Sequence, residues 1–194
     1  MTTTTRDIIV IGASWGGIQT ICTLLGGLPR GLKASILIAL HSSQQTPRLL
    51  IHILGQCTAL RVVYAGEGQA IERRHVYIAP PEHRLALVAP GILRLHPAPK
   101  VRFARSAADM LFHSAAEVYG SRIIAVVLTG SDGDGTGGLR GIRAAGGICV
   151  VQDPDEALDP DSPPNTLVPD RLDFKVHVTE MAALFTRLVN GLAA

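Results

Sequence analysis

A chain of 194 residues, 47% of them hydrophobic, is long enough to build one domain around an apolar core without staples. Aromatics make up only 4%, so that core must come from Ile, Val, Leu and Ala, and a formal charge of +2 without a Lys/Arg run argues against a nucleic-acid partner. No segment approaches the roughly 18 uninterrupted apolar residues of a membrane span. The N-terminal MTTTT lacks an apolar signal core, so a soluble, cytoplasmic protein is expected. Cys22, Cys57 and Cys149 lie far apart in apolar segments with no CxxC pair, and are predicted to be reduced core thiols.

Ile8 to Ile11 reads as a buried parallel strand that runs into the turn Gly12-Ala-Ser-Trp-Gly-Gly17 and then a helix over Ile18 to Leu25. A second strand, Ser35 to Leu40, ends in His41. A helix from Pro47 to Leu54, stopped by Gly55, and a third strand, Arg61 to Ala65, follow. Between about 66 and 100, His75–Ala79, Leu85–Val88 and Ile92–Leu95 are short strands joined by tight connections. They leave too little chain for crossover helices, so antiparallel hairpins are predicted there. Ser106 to Tyr119 reads as a helix with Ala107, Met110, Leu111, Ser114 and Val118 on its buried face and Gly120 as its stop. Ile123 to Leu128 is a strand leading into the loop Thr129 to Gly138. A helix over Leu139 to Ala145, a strand over Gly147 to Val151, a short strand at Val176 to Val178 and a closing helix over Glu180 to Leu192 complete the pattern. The Pro-rich stretch Asp153 to Pro169 is a long loop, ordered or lid-like. Alternating strands and helices predict a three-layer α/β/α fold: a mainly parallel, doubly wound sheet with a hairpin insertion, all in one domain over residues 1–194.

In open parallel sheets, ligands bind beyond the carboxyl ends of the strands. Three such ends carry reactive residues here: Ser14, His41 and the loop Ser131-Asp-Gly-Asp-Gly135. A serine on a strand-to-helix turn stands clear of the sheet, and helix N-terminal N–H groups can hold an oxyanion beside it. Serine, histidine and aspartate at one edge have the components of a nucleophilic triad. Other readings compete for the same residues. Gly12-x-Ser14-x-x-Gly17 is a spoiled dinucleotide fingerprint, without the acidic residue expected about 20 positions on. Ser14 also suits a helix N-cap. Asp132-Gly-Asp134-Gly resembles a fragment of a calcium loop, but the glutamate position is filled by Gly141. Gly12-x-Ser14-x-Gly16 matches the nucleophile elbow of α/β-hydrolases, whose Ser…Asp/Glu…His order differs from the order here. His52, His75, His83, His96, His113 and His177 are read as structural.

Six segments in order, IGASWGG (11–17), LIALHSS (37–43), AGEGQAIERRHVYIAPPEHRLAL (65–87), ADMLFHSAAE (108–117), VVLTGSDGDGTGGL (126–139) and AAGGICVVQDP (144–154), resemble the catalytic domain of chemotaxis protein-glutamate methylesterases of the CheB type. The resemblance implies Ser14 as nucleophile, His41 as general base and Asp134, separated by three residues from Gly130 in LTG-x-x-x-D-G, as the acid that orients the imidazole. It implies hydrolysis of glutamate γ-methyl esters on the cytoplasmic helices of methyl-accepting chemotaxis receptors, with release of methanol, and deamidation of receptor glutamines. It further implies no metal or organic cofactor and no membrane insertion. The backbone N–H of Trp15 or of a neighbouring glycine is the candidate oxyanion donor. The family usually carries a receiver domain ahead of this one. The sequence starts at the esterase domain, so either a stand-alone form, with any regulator acting in trans, or a piece trimmed from a longer chain is expected. Trp15, Ser131 and Asn165 stand where the family favours a small residue, a methionine and an arginine, and His41 is followed by Ser42-Ser-Gln44 instead of an apolar-Pro-Pro run. These changes fall on the substrate-facing rim. A non-catalytic module of the same fold that binds receptor or partner is the alternative class, and a nucleotide-binding domain a third.

Overall fold

The structure is a computed structural model describing residues 5–14, 17–41, 49–98, 107–128, 135–156 and 172–192, with Ser14 and His41 described through their backbone. In chain order the elements are β1 (Ile8–Ser14), α1 (Ile18–Gly26), β2 (Ser35–His41), α2 (Leu50–Cys57), β3 (Arg61–Tyr64), β4 (His75–Ile78), β5 (His83–Ala89), β6 (Ile92–Pro97), α3 (Ala107–Tyr119), β7 (Ile123–Val127), α4 (Thr136–Ala144), β8 (Ile148–Gln152), β9 (Phe174–Val176) and α5 (Val178–Val189). Seven strands form one sheet in the order β3-β4-β2-β1-β7-β8-β9, parallel throughout, and β5 pairs with β6 as a separate antiparallel hairpin. This is the doubly wound α/β/α architecture expected from the sequence.

The strands read as unbroken apolar runs because both faces of the sheet are covered. Ile9, Ile11, Ile36, Ile38, Ile124, Val126 and Val150 face one layer, where Leu24 and Leu25 of α1, Leu54 of α2 and Phe185 of α5 complete the core. Their alternate neighbours Ile8, Val10, Leu37, Ala125, Val127 and Val151 face Leu111, Phe112 and Ala115 of α3, Leu139 and Ile142 of α4, and the hairpin residues Leu85, Leu87 and Leu93. Phe112 is fully buried, so truncation to alanine is expected to cost about 3–5 kcal/mol.

Four sequence expectations are corrected. β4 is not part of an antiparallel hairpin; it pairs in parallel with both β2 and β3. The connection 65–74 returns without a helix because the hairpin takes the helix's place. Gly68 N–H donates to Leu93 O (3.0 Å), Leu93 N–H to Gln69 O (2.9 Å) and Ile71 N–H to Gly91 O (2.7 Å). The α2 helix runs through Gly55 to Cys57. A mid-helix glycine costs only about 1 kcal/mol relative to alanine, and packing against α1 and β3 outweighs it. On α3 the buried residues are Ala108, Leu111, Phe112, Ala115 and Tyr119, not the set around Met110 and Val118. Gly12 lets the Ala108–Phe112 side of the helix approach the sheet, while Ser114 faces the hairpin and accepts from Leu87 N–H (3.1 Å). Finally, Cys22 and Cys57 are joined in a disulfide. Helices α1 and α2 lie side by side and bring the two Cα atoms to 5.2 Å, inside the range a disulfide spans. Cys149 is a free buried thiol, as expected, and burial pushes its pKa up to about 11.

At the N-terminal edge of the sheet, buried Asp7 accepts from Arg122 Nε (2.9 Å) and Nη2 (2.7 Å), with Arg73 Nη2 at 3.5 Å. The Arg122 guanidinium also lies over the Tyr119 ring, 5.0 Å from its centroid. This clamp joins the starts of β1, β4 and β7.

Candidate active site

The order of strands places the site before any side chain is considered. From β1 the first half of the chain steps to β2, out to the edge strand β3 and back to β4 between them, and the second half winds the other way through β7 and β8 to β9. The direction changes between β1 and β7. At the carboxyl ends of those strands, neighbouring connections diverge and leave a crevice.

Ser14 is the last residue of β1 and His41 the last of β2, and the two are register partners on adjacent parallel strands. Neighbouring strands run about 4.8 Å apart, so the backbone alone holds this serine and histidine at one edge. Asp134 lies outside the described residues; it follows β7 in the chain and immediately precedes Gly135, the N-cap of α4. The β1–β7 pairing continues past the end of β7 through Leu128 N–H to Gly12 O (2.9 Å). The sites read from the sequence thus follow three adjacent strands, β2-β1-β7. Trp15, Ser131 and Asn165 lie outside the described residues, as do Asp132 and the segment 42–48.

The N-cap of α1 is Gly17, three residues after Ser14 in the chain; it makes no side-chain cap, and the first turn of α1 carries no acidic residue. Its N-terminal N–H groups are therefore not neutralised by a carboxylate of their own turn, an arrangement that favours a developing anion. Gly12, two residues before Ser14, is required by packing. A Cβ there would lie 2.8 Å from Ala108 Cβ and 3.3 Å from Phe112 Cζ. The missing side chain lets α3 seat directly behind the end of β1.

The remaining histidines are engaged elsewhere. His52 bonds Gln56 (2.9 Å), His75 stacks on Tyr77, and His83 Nδ1 lies 2.8 Å from Pro81 O. His96 lies on β6 as the register partner of Arg84 in the hairpin, and His113 lies against Gly141. His177 does have a partner: its Nδ1 is 3.0 Å from Glu156 Oε1, and that hydrogen bond raises its pKa above the ordinary value. Glu156 Oε2 also accepts from Val178 N–H (2.8 Å) at the start of α5. Beside it Asp153 accepts from Asp155 N–H and pairs with Lys175, which together lower its pKa. This cluster closes β8 and β9 on the same sheet edge, two and three strand spacings from β1. Sequence reasoning missed it, and it also missed Asp109, whose Oδ1 accepts from Gly138 N–H (2.7 Å). A legible signal existed for Asp109: α4 opens Gly-Thr-Gly-Gly, with a glycine at the N-cap that has no side chain to offer. Among the described residues, no three His, Cys, Asp or Glu side chains are grouped to hold a metal ion.

Comparison with known proteins places this geometry in context. The family model described as CheB methylesterase matches residues 9–185. The chain is 34% identical over 182 residues to a Leptospira interrogans protein provisionally named protein-glutamate methylesterase/protein-glutamine glutaminase, covering 94% of each. It is 30% identical over 194 residues to protein-glutamate methylesterase/protein-glutamine glutaminase 2 of Methanosarcina mazei, covering 96% of this chain and 53% of that one. The crystal structure of the Thermotoga maritima CheB methylesterase catalytic domain superposes with a TM-score of 0.85 at 28% identity, covering 95% of this chain and all of that one.

Proposed function

The chain belongs to the CheB methylesterase family, and we propose that it is a catalytic domain over residues 1–194 in which Ser14, His41 and Asp134 hydrolyse glutamate γ-methyl esters of chemoreceptor cytoplasmic helices. His41 takes the proton from Ser14 Oγ as the oxygen attacks the γ-carbonyl carbon. Negative charge then gathers on the carbonyl oxygen, where N–H groups of the Ser14–α1 turn stabilise it. Losing one such donor typically lowers turnover about 100- to 1000-fold. The tetrahedral adduct collapses with cleavage of the carbon–methoxy bond, and His41 returns the proton to release methanol. Water, deprotonated by His41, next attacks the acyl-enzyme and frees the glutamate side chain and Ser14. A receptor glutamine follows the same path with ammonia as leaving group. Asp134 holds the imidazole in the tautomer that faces Ser14 and stabilises the imidazolium.

The observation that carries this reading is the register pairing of Ser14 with His41 beside the change of winding. The family supports the hydrolytic activity. Among the described residues no helix is long and apolar enough to cross a membrane, and we place the protein in the cytoplasm, where the receptor helices it would act on lie. The test is methanol release from methylated chemoreceptor cytoplasmic domains by wild type and Ser14→Ala. Release by wild type that vanishes in a folded Ser14→Ala supports the proposal; equal release by both refutes the nucleophile.

A further inference from the structure

We propose that Asp109 is a positioning residue for this hydrolysis, acting through the first turn of α4 and not on substrate; the proposal rests on the triad reading above. The starting point is a helix that begins badly. Gly135 at the N-cap has φ +96° and no side chain to offer, and no acidic residue lies in the first turn. Gly137 and Gly138 in that turn each cost about 1 kcal/mol in helix propensity relative to alanine. Two glycines in its first turn therefore weaken this helix where it starts.

Asp109 supplies what the sequence of α4 lacks. Its Oδ1 accepts at 2.7 Å from the N–H of Gly138, the third helical residue, which a local N-cap side chain would ordinarily satisfy. The cap therefore comes from another helix, 29 residues away in sequence. Because Asp109 also lies in the first turn of α3, its charge faces the positive ends of two helices at once.

The glycines have a second reason to be there. A Cβ on Gly138 would fall 2.5 Å from Phe112 Cβ, one on Gly137 3.3 Å from the Asp109 carboxylate, and one on Gly135 3.4 Å from Phe112 Cε2. They let the start of α4 seat on α3 around Asp109. The same two α3 residues, Ala108 and Phe112, fill the space in front of Gly12. Hence one surface of α3 touches the strand that ends in Ser14 and the residue that follows Asp134. The described residues that flank Asp134 in the chain are both held to that frame, Leu128 by its N–H to Gly12 O and Gly138 by its N–H to Asp109. A misplacement of about 1 Å in a reacting group can cost about 100-fold in rate, so the second tie matters to chemistry.

The experiment measures methanol release against pH for wild type, Asp109→Ala, Asp109→Asn and Asp109→Glu, with Ser14→Ala as the blank. Asp109→Ala should lower kcat about 10- to 100-fold with KM within twofold. It should also move the acid limb of kcat/KM to lower pH, because the His41 imidazolium loses its aligned carboxylate. Asp109→Asn keeps an acceptor oxygen for Gly138 N–H and should recover most of the loss; Asp109→Glu, one methylene too long, should not. An Asp109→Ala enzyme with wild-type kcat and pH profile overturns the proposal, as does a loss of activity that only follows the unfolded fraction. If Asp109→Ala does not fold, the order of Asn above Glu decides, and the reverse order refutes the cap. Failure of the triad reading looks different: wild type then releases no methanol, or Ser14→Ala releases as much, and Asp109 loses its role with it.

Discussion

Replacing Asp7 by alanine removes a buried carboxylate at the N-terminal edge of the sheet, and its cost can be worked from the geometry. Asp7 keeps 8% of its side chain exposed and accepts two hydrogen bonds from Arg122 at 2.9 and 2.7 Å. Hydrogen bonds to charged groups contribute about 1.5–3 kcal/mol each, and breaking a fully buried ion pair costs about 3–5 kcal/mol. The discount comes from the arginines: Arg122 is 47% and Arg73 61% exposed, so both rehydrate once the carboxylate is gone. The expected loss is therefore about 2–3 kcal/mol, a fall in Tm of about 5–10 °C for a chain of this length. Urea unfolding of wild type, Asp7→Ala, Arg122→Ala and the double variant measures it. The double variant should cost less than the sum of the single ones, because the pair shares one interaction. A single-variant loss below about 0.5 kcal/mol, or strict additivity, would refute the account of the clamp.

Further outcomes follow from other parts of the fold. Gly12→Ala should destabilise by about 1–3 kcal/mol and reduce turnover, since the new methyl meets Ala108; Ala108→Gly in the same chain should restore activity, and no restoration would show that the contact is not the cause. Intact mass before and after reduction should differ by two hydrogens at Cys22 and Cys57. Closing this loop of 35 residues should stabilise by about 4 kcal/mol in denaturant titrations with and without dithiothreitol, while a transition insensitive to reductant would refute the bond. Cys149, with its pKa pushed up to about 11, should resist alkylation until the protein unfolds. His177 should titrate above its ordinary value in NMR and return toward it in Glu156→Gln. Because the folded value is the raised one, its contribution to stability is complete below the unfolded pKa and fades as pH rises through the folded one. Asp153 has the opposite sign: its contribution is present above the ordinary carboxylate pKa and fades as pH falls through the lowered value.

Much of this molecule is legible before folding. Buried parallel strands leave unbroken Ile/Val runs, so β1, β2, β7 and β8 and the α/β/α class can be read from local sequence. Ser14 and His41 can be read as strand-ending residues because the apolar runs stop at them. Contacts between distant segments leave no such trace. Periodicity cannot say that Ser14 and His41 share a register, that β4 inserts in parallel between β2 and β3, or that Cys22 meets Cys57. Nor can it say that a carboxylate on α3 caps α4. Sequence alone determined which residues are candidates for the chemistry and which segments must be buried, since both follow from side-chain chemistry taken a few residues at a time. Only the tertiary structure decided which of them are neighbours, because adjacency in a sheet depends on the order in which crossovers return, and that order is set by packing across the whole chain.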